Sequence, residues 1–176
     1  MEITFIRHSR VLFTWKNFYD TSSFELACQA YDSSPVLRAD KLEIGEQPVY
    51  ISNLIRTAAT AKNLLPDNLS MIKTDLLNEI PLKPFINTKL KLPTILWMVL
   101  GRLQWYINHS NQPETRKESK KRINKFLDLI LNGQQNCIII GHGLYFAQMV
   151  DEMKKRAIVG EGKKRLKNEE IRVFNC

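Results

Sequence analysis

The stretch Thr4-Phe5-Ile6-Arg7-His8-Ser9 decides the fold. The apolar run from Met1 to Ile6 predicts a buried strand, and it ends abruptly in a guanidinium and an imidazole. Open α/β sheets bind ligands at the carboxyl ends of their strands, so Arg7 and His8 stand where such a sheet would deliver a reactive pair. Alone, an Arg-His dipeptide is as well explained by a surface cation beside a surface imidazole. The downstream sequence supplies the context.

Pro48 introduces a second strand, Val49 to Ser52, followed by an alanine-rich helix from Thr57 to Leu65 that Pro66 ends. Met71 to Thr74 reads as a third strand leading into Asp75-Leu76-Leu77-Asn78-Glu79, after which Pro81 and Pro84 break regular structure. Cys137 to Ile140 is an apolar run fit for burial on both faces. Gly141-His142-Gly143 follows it directly, then a helical period from Leu144 to Lys155 and a last strand from Ile171 to Phe174. Strands alternating with helices predict an α/β class, a three-layer α/β/α sandwich around a mostly parallel central sheet.

Between the first two strands, Val11 to Asp20 reads as a loop over the site and Ser23 to Tyr31 as a short helix stopped by Asp32-Ser33-Ser34-Pro35. Thr94 to Asn108 carries Ile95, Leu96, Val99, Leu100, Leu103 and Ile107 at helical spacing, which predicts a small helical cap insertion at about 82–112. Trp97, Trp105 and Tyr106 read as core residues. Pro113-Glu114-Thr115 opens the longest helix, through about Leu131, with Gly133 as its stop.

At 176 residues and 44% apolar composition, the chain has room for one core and is read as a single domain, 1–176. No charged leader precedes an apolar segment and no apolar run has the length of a membrane span, so a soluble cytoplasmic protein without a membrane partner is expected. Cys28, Cys137 and Cys176 are odd in number and widely spaced, which implies neither a disulfide framework nor a zinc site. A net charge of +8 suits an acidic partner. Lys154-Lys155-Arg156 and Lys163-Lys164-Arg165 lack interleaved aromatics and read as solvated, so no specific nucleic acid is expected.

Three strands thus end in reactive groups: Arg7-His8, Ser52 to Arg56, and His142. In a parallel sheet these ends share one edge, so two histidines and two arginines meet in one pocket. Two guanidiniums hold a tetrahedral dianion by bidentate bonds, which points to a phosphoryl group. No metal and no cofactor are expected, since no carboxylates or histidines stand at ligand spacing.

These residues carry a resemblance to the histidine phosphatase superfamily, which includes phosphoglycerate mutases, acid phosphatases and phosphohistidine phosphatases. Arg7-His8-Ser9 is similar to its Arg-His-Gly; Ser52, Arg56, Thr57, Thr60 and Ala61 match its Ser-x-x-x-Arg-Thr-x-x-Thr-Ala; and Gly141-His142-Gly143 matches its late Gly-His-Gly. Glu114-Thr115 with Arg122-Ile123 is similar to a further family segment. Ser9 departs from the usual glycine, and Arg10, Val11 and Thr14 depart from the mutase-like pattern.

The resemblance implies a metal-independent phosphatase acting on a small phosphoester or phosphoprotein, with phosphate or vanadate able to occupy the site. It implies His8 as the nucleophile that forms a phosphohistidine, and Arg7, Arg56 and a protonated His142 as the phosphoryl cradle. It implies Glu79 as general acid, with Asp75, one turn earlier, left open as the alternative. Arg10, Thr14, Lys83 and Arg102 are candidates for extending the pocket toward substrate. The alternative readings are a phosphate-binding module with little turnover, or a phosphoglycerate mutase-like phosphotransferase.

Overall fold

The computed structural model of the chain describes residues 1–38, 40–66, 69–162 and 165–176. In chain order its elements are β1 (Glu2–Arg7), β2 (Phe18–Tyr19), α1 (Thr21–Ser33), β3 (Val49–Ile51), α2 (Ile55–Leu64), β4 (Met71–Lys73) and a 3-10 turn (Asp75–Leu77). There follow β5 (Leu92–Pro93), α3 (Thr94–Tyr106), α4 (Arg116–Gly133), β6 (Cys137–Gly141), α5 (Gly143–Lys155), β7 (Val159–Gly160) and β8 (Ile171–Asn175).

Six strands form one sheet in the order β4-β3-β6-β1-β8-β7. The neighbours β4, β3, β6 and β1 run parallel, while β8 pairs antiparallel with both β1 and β7. The two-residue period of the central strands builds the layers. Ile3 and Phe5 of β1, with Cys137 and Ile139 of β6, face a core shared with Ile123, Phe126 and Leu127 of α4 and Tyr145, Phe146 and Met149 of α5. The alternate residues Ile6, Ile138 and Ile140 face the other way, onto Ala61 and Leu64 of α2. The sheet is therefore covered on both faces, and its apolar strands read as continuous runs for that reason.

Both long-helix starts are set locally. Asp20 caps α1 in a reciprocal box with Ser23, and Thr115 caps α4 with Glu118. The expected stop at Gly133 falls one residue later: Gly133 is the last helical residue and Gln134 takes the left-handed conformation, φ 46°.

The segment at about 82–112, expected as a helical cap insertion, packs together with the chain between β1 and β3. It pairs β5 with β2, and its Trp97 packs with Tyr19, Phe24 and Ala27. The Trp97 indole N–H donates to the Tyr19 carbonyl at 2.8 Å. The loop expected over Val11 to Asp20 thus contributes the strand β2 and, through Phe13, Trp15 and Tyr19, part of this second cluster. Gly101 lies on the same inner stripe of α3 as Trp97 and Trp105, and a β-carbon there would stand 2.6 Å from Leu82 Cδ1. Tyr106, expected in the core, is exposed and lies under the Arg116 guanidinium instead.

Among the described residues no helix is long and apolar enough to cross a membrane. Lys154 and Lys155 are exposed, while Arg156 pairs with Asp128 at 2.6 Å. The solvated face expected at Lys163 and Lys164 lies outside the described residues.

Candidate active site

Because β3, β6 and β1 are parallel neighbours, their carboxyl ends lie side by side, with Arg7 of β1 in register with Gly141 of β6. The His8 backbone N–H extends that ladder to the Gly141 carbonyl at 3.0 Å. The His8 ring is buried, and its Nδ1 stands 2.8 Å from the Ser9 carbonyl. A carbonyl oxygen only accepts, so Nδ1 carries the proton and Nε2 keeps its lone pair. Burial, reinforced by Arg56 and Arg7 and opposed by the Ser9 bond, pulls the His8 pKa down to about 4. The ring is neutral at physiological pH.

His142 is fully buried, with its ring centroid 5.2 Å from that of His8. Its Nδ1 accepts the Arg56 Nε–H at 3.2 Å, which leaves the proton on Nε2, 2.8 Å from Ser52 Oγ. Ser52 Oγ lies 2.8 Å from Thr57 Oγ1, and the Thr57 hydroxyl reaches the Leu54 carbonyl at 2.9 Å. This chain gives every member a donor and an acceptor. Burial first, and then Arg56, hold His142 well below its ordinary pKa. A protonated His142 was expected from the sequence; in this arrangement the Arg56 N–H occupies the nitrogen that a second proton would take, and burial also disfavours the charged ring.

Arg56 is buried, donates a second bond to Asp32 Oδ1 at 2.6 Å, and lies 5.5 Å from the centre of the Tyr31 ring. Arg7 donates through Nη1 to the Leu166 carbonyl at 2.8 Å, and its buried Nε has no protein partner among the described residues. The two glycines beside His142 have different causes. A β-carbon at Gly141 would stand 2.7 Å from the Phe146 ring, and one at Gly143 would stand 3.0 Å from Arg7 Cζ and Nε. Ser9, in place of a glycine, is fully buried with its Oγ unbonded, while its N–H donates to Thr60 Oγ1 at 2.9 Å.

Glu79 reaches the same cavity. Its Oε1 accepts backbone N–H groups from Ile80 at 2.9 Å and from Tyr145, in the first turn of α5, at 3.1 Å. The loop that carries it is pinned by two arginines. Arg122 grips Glu114 bidentately at 3.0 and 2.9 Å and donates through Nη1 to the Leu76 and Asn78 carbonyls at 3.0 and 2.7 Å. Arg102 donates to the Ile80 and Pro81 carbonyls at 2.9 and 3.0 Å. The cavity has a volume of ≈ 860 Å³ and is lined by Arg7, His8, Arg56, Glu79 and Asp75, together with Trp15, Tyr31, Met98, Arg102 and Arg165. Among the described residues no three His, Cys, Asp or Glu side chains are grouped to hold a metal.

No protein-family model matches the sequence, and no curated protein matches it either. Solved structures do. The α-ribazole phosphatase from Shigella flexneri superposes with a TM-score of 0.61 at 16% identity, over 98% of this chain and 89% of that one. The open reading frame Rv3214 from Mycobacterium tuberculosis gives 0.57 at 16% identity over 98% and 89%, and TTHB049 from Thermus thermophilus gives 0.55 at 17% over 97% and 91%. The fold is that of the histidine phosphatases.

Within that histidine phosphatase fold, the structure brings together Arg7, His8, Arg56, His142 and Glu79 from four separate segments, with Asp75 and Arg102 on the same cavity. Arg10 and Thr14 are exposed and do not line it, and Lys83 lines a separate, smaller pocket near Thr21 and Asn111. Four contributors escaped the sequence reading: Asp32, Tyr31, Arg165 and the Arg122–Glu114 pair. Only the last had a signal, in the segment at Glu114 and Arg122 that carried part of the resemblance. Cys28 also lines the cavity, but burial and nearby Asp32 push its thiol up to about 11, away from reactivity.

Proposed function

We propose that the chain is a phosphomonoester hydrolase of the histidine phosphatase superfamily that works through a phosphohistidine on His8. The observation that carries this reading is the His8 ring itself: buried, with its pKa pulled down to about 4, its proton fixed on Nδ1 by the Ser9 carbonyl, which leaves the Nε2 lone pair available, in a cavity that Arg7 and Arg56 also line. An imidazole so held is a nucleophile that needs no base.

In the proposed mechanism Nε2 attacks phosphorus in line, the P–O bond to the leaving group breaks, and that oxygen takes a proton from a cavity carboxyl group, Glu79 or Asp75. Arg7, through its unpartnered Nε, and Arg56 hold the equatorial oxygens. His142 acts through Arg56, fixing the direction of the guanidinium by accepting its Nε–H. Water then attacks the phosphohistidine, giving up its proton to the same carboxylate, and releases inorganic phosphate with His8 restored.

The cavity is larger than a phosphate needs, and its lining also includes Trp15, Tyr31 and Met98, with Arg102 and Arg165. This favours a small phosphomonoester whose leaving group has an aromatic or apolar part and a further polar or anionic group. α-Ribazole phosphate, after the name of the Shigella neighbour, is one member of that class to include. The test is a screen of purified protein across phosphomonoesters and phosphohistidine peptides, with His8→Ala as the blank. Phosphate release that His8→Ala abolishes supports the reading; release that survives in the variant removes it.

A further inference from the structure

Apart from Thr94, Arg102 and Gln104, the helix α3 is apolar, yet its apolar residues are covered on one side only. Its inner stripe is buried: Trp97 lies in the cluster with Tyr19 and Phe24, Gly101 lies against Leu82, and Trp105 lies in the main core with Phe126. Its outer stripe, Ile95 (68% exposed), Val99 (54%), Leu103 (50%) and Tyr106 (53%), repeats at helical spacing and faces solvent. The only charged residue on the helix, Arg102, bonds inward to the Ile80 and Pro81 carbonyls. A helix apolar on both sides ordinarily has something on both sides.

The charge around the stripe is mainly positive. No Asp or Glu occurs between Glu79 and Glu114. At the amino end of α3, Lys89 and Lys91 are exposed, and the Lys16 carbonyl accepts the Thr94 hydroxyl. At the carboxyl end, Arg116 lies 4.2 Å from the centre of the Tyr106 ring, and the exposed Lys117 is held by its N–H bond to Asn108 at 2.9 Å. Two nearby carboxylates, Asp20 and Glu118, are helix caps held ionised by their bonds to Ser23 and Thr115, and the four cations Lys89, Lys91, Arg116 and Lys117 outnumber them.

We propose that this outer face of α3 docks on an anionic lipid surface. The apolar stripe would enter the acyl boundary while the cations at both ends meet acidic headgroups. Two physical points favour lipid over a second copy of the chain. A 13-residue helix offers a strip about 20 Å by 10 Å, about 200 Å², against the roughly 800 Å² per partner that stable protein interfaces bury. A two-fold pairing would also set like charges against each other at both ends. The absence of a membrane-spanning segment does not bear on this, since a surface-lying face needs none.

The test uses no catalysis, so its outcome is independent of the phosphatase reading. Protein is floated with vesicles of phosphatidylcholine alone, or with about a third anionic lipid. Binding to the anionic vesicles only, weakened by salt, is expected. The doubly substituted Val99→Ser/Leu103→Ser keeps the net charge and lies on exposed positions; it should bind at least about tenfold more weakly with an unchanged melting temperature. Lys89→Gln/Lys91→Gln should weaken binding at low salt and make the remaining binding less sensitive to salt. No binding to anionic vesicles at low salt overturns the proposal. So does equal binding by Val99→Ser/Leu103→Ser, which would mean attraction to the basic surface at large. A dimeric mass in light scattering that this variant halves would assign the face to a second copy instead.

Discussion

Replacing Asp32 by Asn removes a carboxylate that holds Arg56 at 2.6 Å and so stands in the way of a phosphoryl group on the same guanidinium. The Asp32 side chain is 53% exposed while Arg56 is 3% exposed, so the charge being removed is largely solvated and its field is close to that in water. A dianion sharing the guanidinium would sit about 6 Å from that carboxylate, and the repulsion at a water-like dielectric is about 1.4 kcal/mol. This corresponds to about tenfold in affinity at low salt, shrinking to roughly threefold near physiological ionic strength, where the Debye length is about 8 Å. Titration calorimetry with inorganic phosphate and with vanadate measures it without requiring turnover. Tighter binding by Asp32→Asn, with the gain decreasing as salt rises, is the expected result. Unchanged or weaker binding would refute the reasoning and make Asp32 a residue that orients Arg56 for the anion.

Gly143→Ala places a methyl group 3.0 Å from the Arg7 guanidinium, and a displacement of even about 1 Å there should lower kcat/KM by roughly a hundredfold with the circular dichroism spectrum retained. Glu79→Gln should slow an alkyl phosphate roughly a hundredfold or more while sparing p-nitrophenyl phosphate, whose leaving group needs no proton. If Asp75→Asn shows that leaving-group dependence instead, Asp75 is the acid. Stability should fall with acid: the unfolded chain protonates its histidines below their ordinary value of 6.5, whereas folded His8 resists protonation down to about 4 and His142 resists it further. Each contributes a slope of about 1.4 kcal/mol per pH unit within its window and nothing above pH 7, so the urea midpoint should drop between pH 6.5 and 4, less steeply in His8→Asn.

The sheet and the main site were legible because both rest on local pattern. Four runs rich in β-branched residues ended in turns and helices, and parallel pairing places such ends together, so Arg7, His8, Arg56 and His142 were readable as one group before any coordinate. The antiparallel return of β8 and the short β2, β5 and β7 were not readable, since two-residue strands have no period and a strand's direction leaves no mark in its sequence. Helical spacing identified α3 but did not say which side was covered. Ile95, Val99 and Leu103 share the spacing of a core face, yet the covered side is that of Trp97, Gly101 and Trp105, where Leu82 lies against Gly101. Charge was the least legible. Arg10, Thr14 and Lys83 looked like pocket residues from their proximity in sequence, while Asp32 and Arg165 arrive from distant segments. The Asp32 pairing follows from where α1 ends, which composition does not specify.

The central claim is the covalent step on His8, and trapping it is the most direct measurement. Protein mixed with a turned-over phosphomonoester, quenched rapidly in alkali and digested, should yield one phosphopeptide spanning Ile6 to Arg10. The label should be stable in base, lost in acid, and absent from His8→Ala. A label that survives acid, maps elsewhere or persists in His8→Ala would contradict the account, as would steady turnover with no phosphoenzyme at any quench time.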